Sequence, residues 1–301
     1  MSGEGGQPRF DRAAVLGIGL IGASFALAVR RAGLVGETVG VARRESTRQA
    51  AERVGAADRT TPDPREAARD ADLVYLAAPV GALGPMLESI ANVLPEGCLV
   101  TDAGSVKGPV CAAAERVLPP SVAFVGGHPM AGSERSGPEV ADAGLFAGHT
   151  YFLVPTARGG DEAVGRLERV VEAIGARPAI LAADEHDRIL AATSHLPHAL
   201  ASSLALAVAR LVPDPEARAR FSAGGLRDTT RIAASPPELW RDIFLANAEA
   251  LAGACRLTME LLEDLVRAAE GGDAEALMEM LSRAQAARLD LSSDAAEGPG
   301  R

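Results

Sequence analysis

Lysine is almost missing from this chain of 301 residues: Lys107 is the only one, and an active-site lysine anywhere in 184–290 is thereby excluded. Positive charge is in deficit too, with 30 Lys and Arg against 40 Asp and Glu and a formal net charge of −10. That balance argues against non-specific binding to nucleic acid or to an anionic membrane, and leaves only a local basic pocket open. Cysteine is scarce. Cys98, Cys111 and Cys255 have no metal-ligand spacing, so no metal site is expected, and an odd count fits no disulfide framework. A reducing cytoplasm is the simpler setting. One stretch imitates a membrane signal: 13–29 carries no charge over 17 positions. A membrane span needs about 20 residues, and three glycines interrupt this run. It ends in Arg30-Arg31 rather than at a small-residue cleavage site, so a leader is not expected either.

What is present suits a packed core. Apolar residues make up 48% and charged residues 23%, ordinary for a globular chain, and the length suggests about two domains. The first nine and last ten residues lack periodicity and read as frayed ends. Aliphatic or β-branched runs recur at 13–17, 37–42, 72–78, 98–102, 122–126, 149–155 and 177–182, separated mostly by helical spacing that closes on Gly33, Gly55 and Gly175. This cadence predicts a mainly parallel sheet covered on both faces. Near residue 180 the texture turns helical. Asp184 is placed to cap a helix to about His195, where Pro197 should kink or break it. Residues 199–209 are apolar or small all round and should be buried in a bundle or an oligomer. Ser235-Pro-Pro-Glu238 reads as a capping box opening one helix as far as Glu270, and Asp273–Leu289 reads as a last helix.

Gly17-x-Gly19-x-x-Gly22 follows the first apolar run and opens a helical stretch. In that context the first glycine turns the chain and the second admits a pyrophosphate. The third lets helix pack on strand, and the helix N–H groups face the phosphates. NAD enzymes usually carry an acid about 20 residues on, bonded to the ribose 2′-hydroxyl. Here Gly40-Val41-Ala42-Arg43-Arg44 has none. Guanidinium groups bind a 2′-phosphate, so Arg43 and Arg44, with Thr47 and Ser46 as hydroxyl donors, favour NADP over NAD.

Three loops follow strands and should meet at one sheet edge: Ala78-Pro79-Val80, Thr101–Gly108 and Gly126–Glu134. His128, set between a diglycine and a proline, is the best proton-transfer candidate. His195 and His198 flank Leu196-Pro197, where a helix break could turn one imidazole toward a cleft. His149 and His186 read as ordinary surface or strand-end residues. In the helical part, Gly224–Arg231 offers Arg227, Asp228 and Arg231 as an anion clamp or, equally, a surface ion-pair network. Trp240, Phe244, Asn247 and Leu251 share one helix face, as core or as a pocket wall.

These motifs together resemble the prephenate/arogenate dehydrogenase family of tyrosine biosynthesis. They are GIGLIGAS (17–24), TDAGSVKG (101–108), GGHPMAGSE (126–134), SHLPHA (194–199) and GGLRDTTRIA (224–233), in the family's order. The resemblance implies an α/β Rossmann-like dinucleotide-binding domain over 1–180, followed by an all-α dimerisation domain over 181–301, forming a homodimer. It implies a small-molecule substrate that loses hydride to NAD(P) and its ring carboxylate as carbon dioxide. His128 would take the proton of the ring hydroxyl, and Ser105 would bond His128 or that hydroxyl. Arg231 would bind a substrate carboxylate, His198 and Trp240 would line the pocket, and Glu134 and Asp228 would hold its cations. Gly17, Gly19, Leu20, Ile21, Gly22 and Pro79 would hold the dinucleotide. Prephenate is favoured, with arogenate, or both, as the alternative; 4-amino-4-deoxyprephenate ranks lower. A fused chorismate mutase or a terminal regulatory domain is not expected, so tyrosine feedback would act at the active site. A β-hydroxyacid dehydrogenase or imine reductase would need a lysine on its helical part. A silent NADP sensor would not keep Ser105, His128 and Arg231.

Overall fold

The computed structural model describes residues 9–132 and 135–293. Almost all of the two ends read as frayed lies outside these residues, as does Glu134. Eight strands form one sheet: β1 (Phe10–Leu16), β2 (Val35–Val41), β3 (Arg59–Thr61), β4 (Leu73–Leu76), β5 (Leu99–Asp102), β6 (Ala123–Pro129), β7 (Thr150–Pro155) and β8 (Arg177–Ile180). Their order is β3-β2-β1-β4-β5-β6-β7-β8. Every pair is parallel except β6–β7, which is antiparallel. The strand β3 was not foreseen, since three polar-flanked residues carry no pattern; it exists because β2 offers it a parallel edge.

Both faces of the sheet are covered, which explains why its strands read as unbroken apolar runs rather than as alternation. Along β4, Leu73 and Tyr75 point into one core with Phe25 and Val29 of α1 (Leu20–Arg31) and Leu167 of α6 (Gly160–Ala173). Val74 and Leu76 point into the other, with Leu83 and Leu87 of α4 (Val80–Ile90) and Val110 of α5 (Gly108–Val117). The uncharged run 13–29 is therefore the centre of this sheet and its first helix. Among the described residues no single helix is long and apolar enough to cross a membrane.

After β8 the chain is helical. The first helix, α7 (Ala183–Leu190), has no side-chain cap; Asp184 sits inside its first turn instead of ahead of it. Pro197 does not break the chain's course. Its missing N–H is absorbed by a π turn over Ala191–His195 that leads directly into α8 (Leu196–Leu211). Of α8 only His198 and Ala201 are buried, and Leu206 and Leu211 are 63% and 80% exposed in the single chain. Two short helices, α9 (Pro215–Phe221) and α10 (Gly224–Thr230), lead to a 3-10 turn at Arg231–Ala234.

The long helix expected from 235 to 270 is two helices. Residues Pro237–Ala246 form α11 and Ala248–Glu270 form α12. Asn247 interrupts them at φ −120°, ψ 35°, because its side chain is engaged elsewhere, as shown below. The expected capping box is also absent: the Ser235 hydroxyl bonds back to the Ile232 carbonyl, and Pro236 precedes the helix. The last helix, α13 (Ala274–Ser293), follows a turn at Gly271-Gly272.

The structure falls into two compact units, one reaching to Ala248 and one from Glu249 onward. A boundary at 180/181 lies within the first, where α7 packs on α5 and β7 and α11 packs on α4. The second unit is the pair of helices α12 and α13.

Candidate active site

A cleft of about 450 Å³ opens at the carboxyl ends of β1, β4, β5 and β6, a volume suited to a small ligand. It is lined from the start of α1 by Gly19, Leu20 and Ile21, and after β4 by Ala77 to Val80. Ala103, Gly104 and Ser105 follow β5. His128 and Pro129 end β6, Arg135 to Gly137 follow, and Leu239 and Ile243 come from α11. The strand order reverses between β1 and β4, where open α/β sheets bind ligands.

The glycine turn is built for close approach. Gly17 has φ +103°, and a Cβ there would meet the Ala77 carbonyl at 2.2 Å. Gly19 stands at the N-cap of α1 with no side-chain cap, and a Cβ there would meet nothing within 4 Å. Open space therefore faces uncapped helix N–H groups, the arrangement a pyrophosphate needs. Gly17 and Ile18 also donate to the carbonyl of Val41, so the end of β2 lies beside the turn. The next residues, Ala42 to Arg44, place no acid there. Arg43 and Arg44 are exposed, with no side-chain hydrogen bond or ion pair among the described residues. Arg48 braces their backbone, donating to the carbonyls of Ala42 and Arg43 at 2.9 Å each. Thr47 lies in the first turn of α2 (Glu45–Arg53).

His128 is in the sheet, not in the loop where the sequence placed it: it pairs with Phe152 across the antiparallel β6–β7 ladder. Its Nδ1 lies 2.9 Å from Nε2 of His186, whose Nδ1 lies 2.7 Å from Asp187 Oδ1. His186 is thus not a surface residue but fully buried. The Asp187 carboxylate also accepts the backbone N–H groups of Lys107 and Gly108, both at 2.7 Å. Burial raises its pKa, but the bonds from His186, Lys107 and Gly108 prevail and hold it below the ordinary value. For His128 burial acts first and the charge of Lys107 adds to it, and both push its pKa well below 6.5.

Beneath the cleft, the Lys107 ammonium and the Asp102 carboxylate form a fully buried ion pair. The ammonium also donates to the Gly127 carbonyl at 2.7 Å, and Asp102 accepts the N–H of Gly127 at 3.0 Å and of Gly104 at 2.8 Å. A Cβ on Gly127 would meet the Asp102 carbonyl at 2.3 Å. The diglycine before His128 therefore serves this close approach of β5 and β6.

Ser105 shares the cleft wall with His128, although the described hydrogen bond of the imidazole goes to His186. His198 and Trp240 meet next door: their rings stack at 3.6 Å with 9° between planes. His195 is buried against the same indole, and burial pulls its pKa down to about 4. Asn247 donates to the Asp187 backbone carbonyl at 2.8 Å and lies 3.1 Å from His195 Nδ1, which is why the helix ends there. Nε2 of His195 and Nδ1 of His198 are buried without a partner among the described residues. Arg231 and Asp228 are exposed on the 3-10 turn and α10, and neither lines the cleft. Leu251 of the expected four-residue face belongs to α12 and the second unit.

Two family models divide the chain: "Prephenate dehydrogenase, nucleotide-binding domain" matches residues 25–180, and "Prephenate dehydrogenase, dimerization domain" matches residues 182–283. The chain belongs to the prephenate dehydrogenase family. Family members are NAD(P)-dependent oxidoreductases, and this chain is one. It is 37% identical to the cyclohexadienyl dehydrogenase of Zymomonas mobilis, over 95% of this chain and 97% of that protein. With the prephenate dehydrogenase of Bacillus subtilis it shares 36% identity over 79% of its own length, spanning 65% of that relative. The crystal structure of Aquifex aeolicus prephenate dehydrogenase, in complex with hydroxyphenyl propionate and NAD+, matches with a TM-score of 0.86 at 32% identity, over 93% of this chain and 98% of that one. Synechocystis arogenate dehydrogenase matches with a TM-score of 0.81 at 28% identity, over 93% and 99%.

Within this prephenate dehydrogenase family member, the nucleotide-binding match starts after the glycine turn, so that turn stands on its geometry. Sequence reasoning passed over Asp102, Lys107, Arg135 and Asp187 as site residues, and took His186 for a surface or strand-end residue. Two signals were available: Lys107 is the only lysine, and Glu185-His186-Asp187 is a polar run immediately after the sheet ends.

Proposed function

We propose that this family member oxidises prephenate with NADP, releasing carbon dioxide and 4-hydroxyphenylpyruvate. The observation that carries the reading is His128 on the wall of the cleft that the glycine turn opens, its Nδ1 already committed to His186. Its Nε2 is then the nitrogen available to a ligand. When bound, the nicotinamide accepts the hydride that leaves the carbinol carbon. His128 takes the proton of the ring hydroxyl at Nε2, a step worth about 10²- to 10⁴-fold. As the ring carboxylate departs and the ring becomes aromatic, the proton returns to the ring oxygen. Atoms and charge then balance without a net proton. Burial keeps water from the imidazole and favours its neutral, accepting form.

Ser105 is assigned the same hydroxyl, Arg231 a substrate carboxylate, and His198 and Trp240 a wall beside the side chain. Asp228 and Glu134 are assigned to hold the cations of the site. The functional division proposed runs at 180/181, with the dinucleotide held by the first part. NADP rather than NAD is supported by Arg43 and Arg44, exposed beside the glycine turn, and by the missing acid at Ala42. A homodimer through the helical part is supported by the dimerization-domain match and by the apolar residues α8 leaves exposed. Free thiols at all three cysteines suit a cytoplasmic setting.

A second reading has its own support. The Zymomonas mobilis relative, matched over nearly its whole length, is named a cyclohexadienyl dehydrogenase, which favours use of arogenate as well. A two-by-two steady-state assay decides: prephenate or arogenate, each with NAD or NADP. Prephenate with NADP should exceed arogenate in kcat/KM by about 100-fold, or roughly 2.7 kcal/mol in transition-state binding. Comparable turnover would establish the second reading, and no turnover of either would refute both.

A further inference from the structure

We infer that His186 and Asp187 are positioning residues that fix the tautomer of His128, keeping its proton on Nδ1 and a lone pair on Nε2 toward the cleft. The inference rests on the reading of His128 as the base. It follows from counting donors along one chain of bonds. The Asp187 carboxylate holds two backbone N–H groups and one imidazole nitrogen within 2.7 Å. An ionised carboxylate can only accept, so Nδ1 of His186 carries its proton. His186 is fully buried, and a neutral ring protonated at Nδ1 has only a lone pair at Nε2. The 2.9 Å contact then requires His128 to donate from Nδ1.

The reverse order would need a cationic His186 or a protonated Asp187. Around these rings stand Lys107 from the β5–α5 loop, paired to Asp102, and His195 from the π turn. An added positive charge among them, without water, is costly. The same carboxylate also pins the segment that carries Ser105, through the N–H groups of Lys107 and Gly108. Asn247 fixes the Asp187 backbone from the other side. When Nε2 accepts the substrate proton, the Nδ1–H bond becomes charge-assisted and Asp187 balances the imidazolium through the intervening ring. No proton need move along the chain.

The test uses the full chain with prephenate and NADP, and the variants His186→Phe, His186→Gln, Asp187→Asn and His128→Asn. His186→Phe should lower kcat by about 10- to 100-fold, the range seen for residues that orient a functional histidine. KM and NADP affinity should stay within about twofold. Glutamine at 186 keeps an acceptor near the place of Nε2 and should recover part of the lost rate. Nitrogen NMR of the five histidines, with His128 assigned by its loss in His128→Asn, should show wild-type His128 protonated at Nδ1. In His186→Phe and Asp187→Asn the proton should shift toward Nε2.

A wild-type His128 protonated at Nε2 would overturn the inference. So would a normal kcat in His186→Phe while His128→Asn is inactive. If His128→Asn were fully active, the base reading would fall instead, and the tautomer would still judge the positioning. Should His186→Phe not fold, His186→Gln and the wild-type spectrum decide.

Discussion

Burial and the Lys107 charge both oppose a proton on His128, and this fixes the sign of a pH effect. The base works in its neutral form, present above its pKa and lost as pH falls through it. Because that pKa lies below the ordinary imidazole value of about 6.5, kcat should hold steady as pH falls from neutral through 6.5. A kcat profile at saturating substrate with its acid limb at 6.5 or higher would contradict this. His128→Asn should lower kcat at least about tenfold with KM nearly unchanged, as expected when a proton acceptor is lost but not a binding contact. Beside the glycine turn, Arg43→Ala with Arg44→Ala should weaken NADP much more than NAD, measured as two dissociation constants. An equal loss would mean that the pair reads no 2′-phosphate. His128 and the arginine pair were visible in the sequence because each announces itself locally, by flanking glycines or by an absent acid. His186 was not: its partner lies 58 positions away, and nothing near it marks it as buried.

Strand β6 is the element on which the cleft depends. It carries Gly127 and His128 on consecutive residues, so one points toward β5 and the buried Asp102–Lys107 pair while the next points toward α7 and the cleft. Gly127→Ala should destabilise the protein by at least about 1–3 kcal/mol, the usual cost of overpacking, because the new Cβ meets the Asp102 carbonyl at 2.3 Å. Thermal unfolding measures this directly, and an unchanged Tm would show that the two strands part freely. Helix α11 illustrates how tertiary bonds override a local pattern. Periodicity alone carries one helix through 247, yet Asn247 gives its amide to Asp187 and His195 and the helix stops. The π turn before Pro197 is a similar case. A proline predicts some disturbance, but only packing decides whether the helix breaks or widens.

At the scale of the molecule, the single chain leaves much apolar surface in its helices uncovered. Leu211 of α8 and Phe221 of α9 are 80% and 74% exposed, and in the second unit Leu262 and Leu281 are 60% and 57% exposed. Patches of this kind mark interaction surfaces, and the dimerization-domain match spans all four residues. With Leu262→Glu and Leu281→Glu combined, sedimentation should show a shift from dimer toward monomer. A wild-type chain that sediments as a monomer at micromolar concentration would defeat the homodimer proposal. The alternation of strand and helix made the sheet legible over its whole width, except for β3. The antiparallel turn of β7 was not legible, since an apolar strand reads alike in either direction.

The sequence by itself determined the features that depend on neighbours in the chain: apolar runs that become strands, glycines that turn into a helix N-terminus, and an arginine pair where an acid is usual. It also placed Ser105, His128 and Pro79 at strand ends that meet at one edge. Only the tertiary structure decided how these groups are held. Asp187 reaches Lys107 and Gly108 across about 80 positions, and the buried lysine reaches Asp102 and Gly127 from two different strands. Hydrogen bonds and ion pairs are satisfied through space, and a buried charge must find its partner wherever the fold brings one near. No local pattern in the chain records which partner that will be.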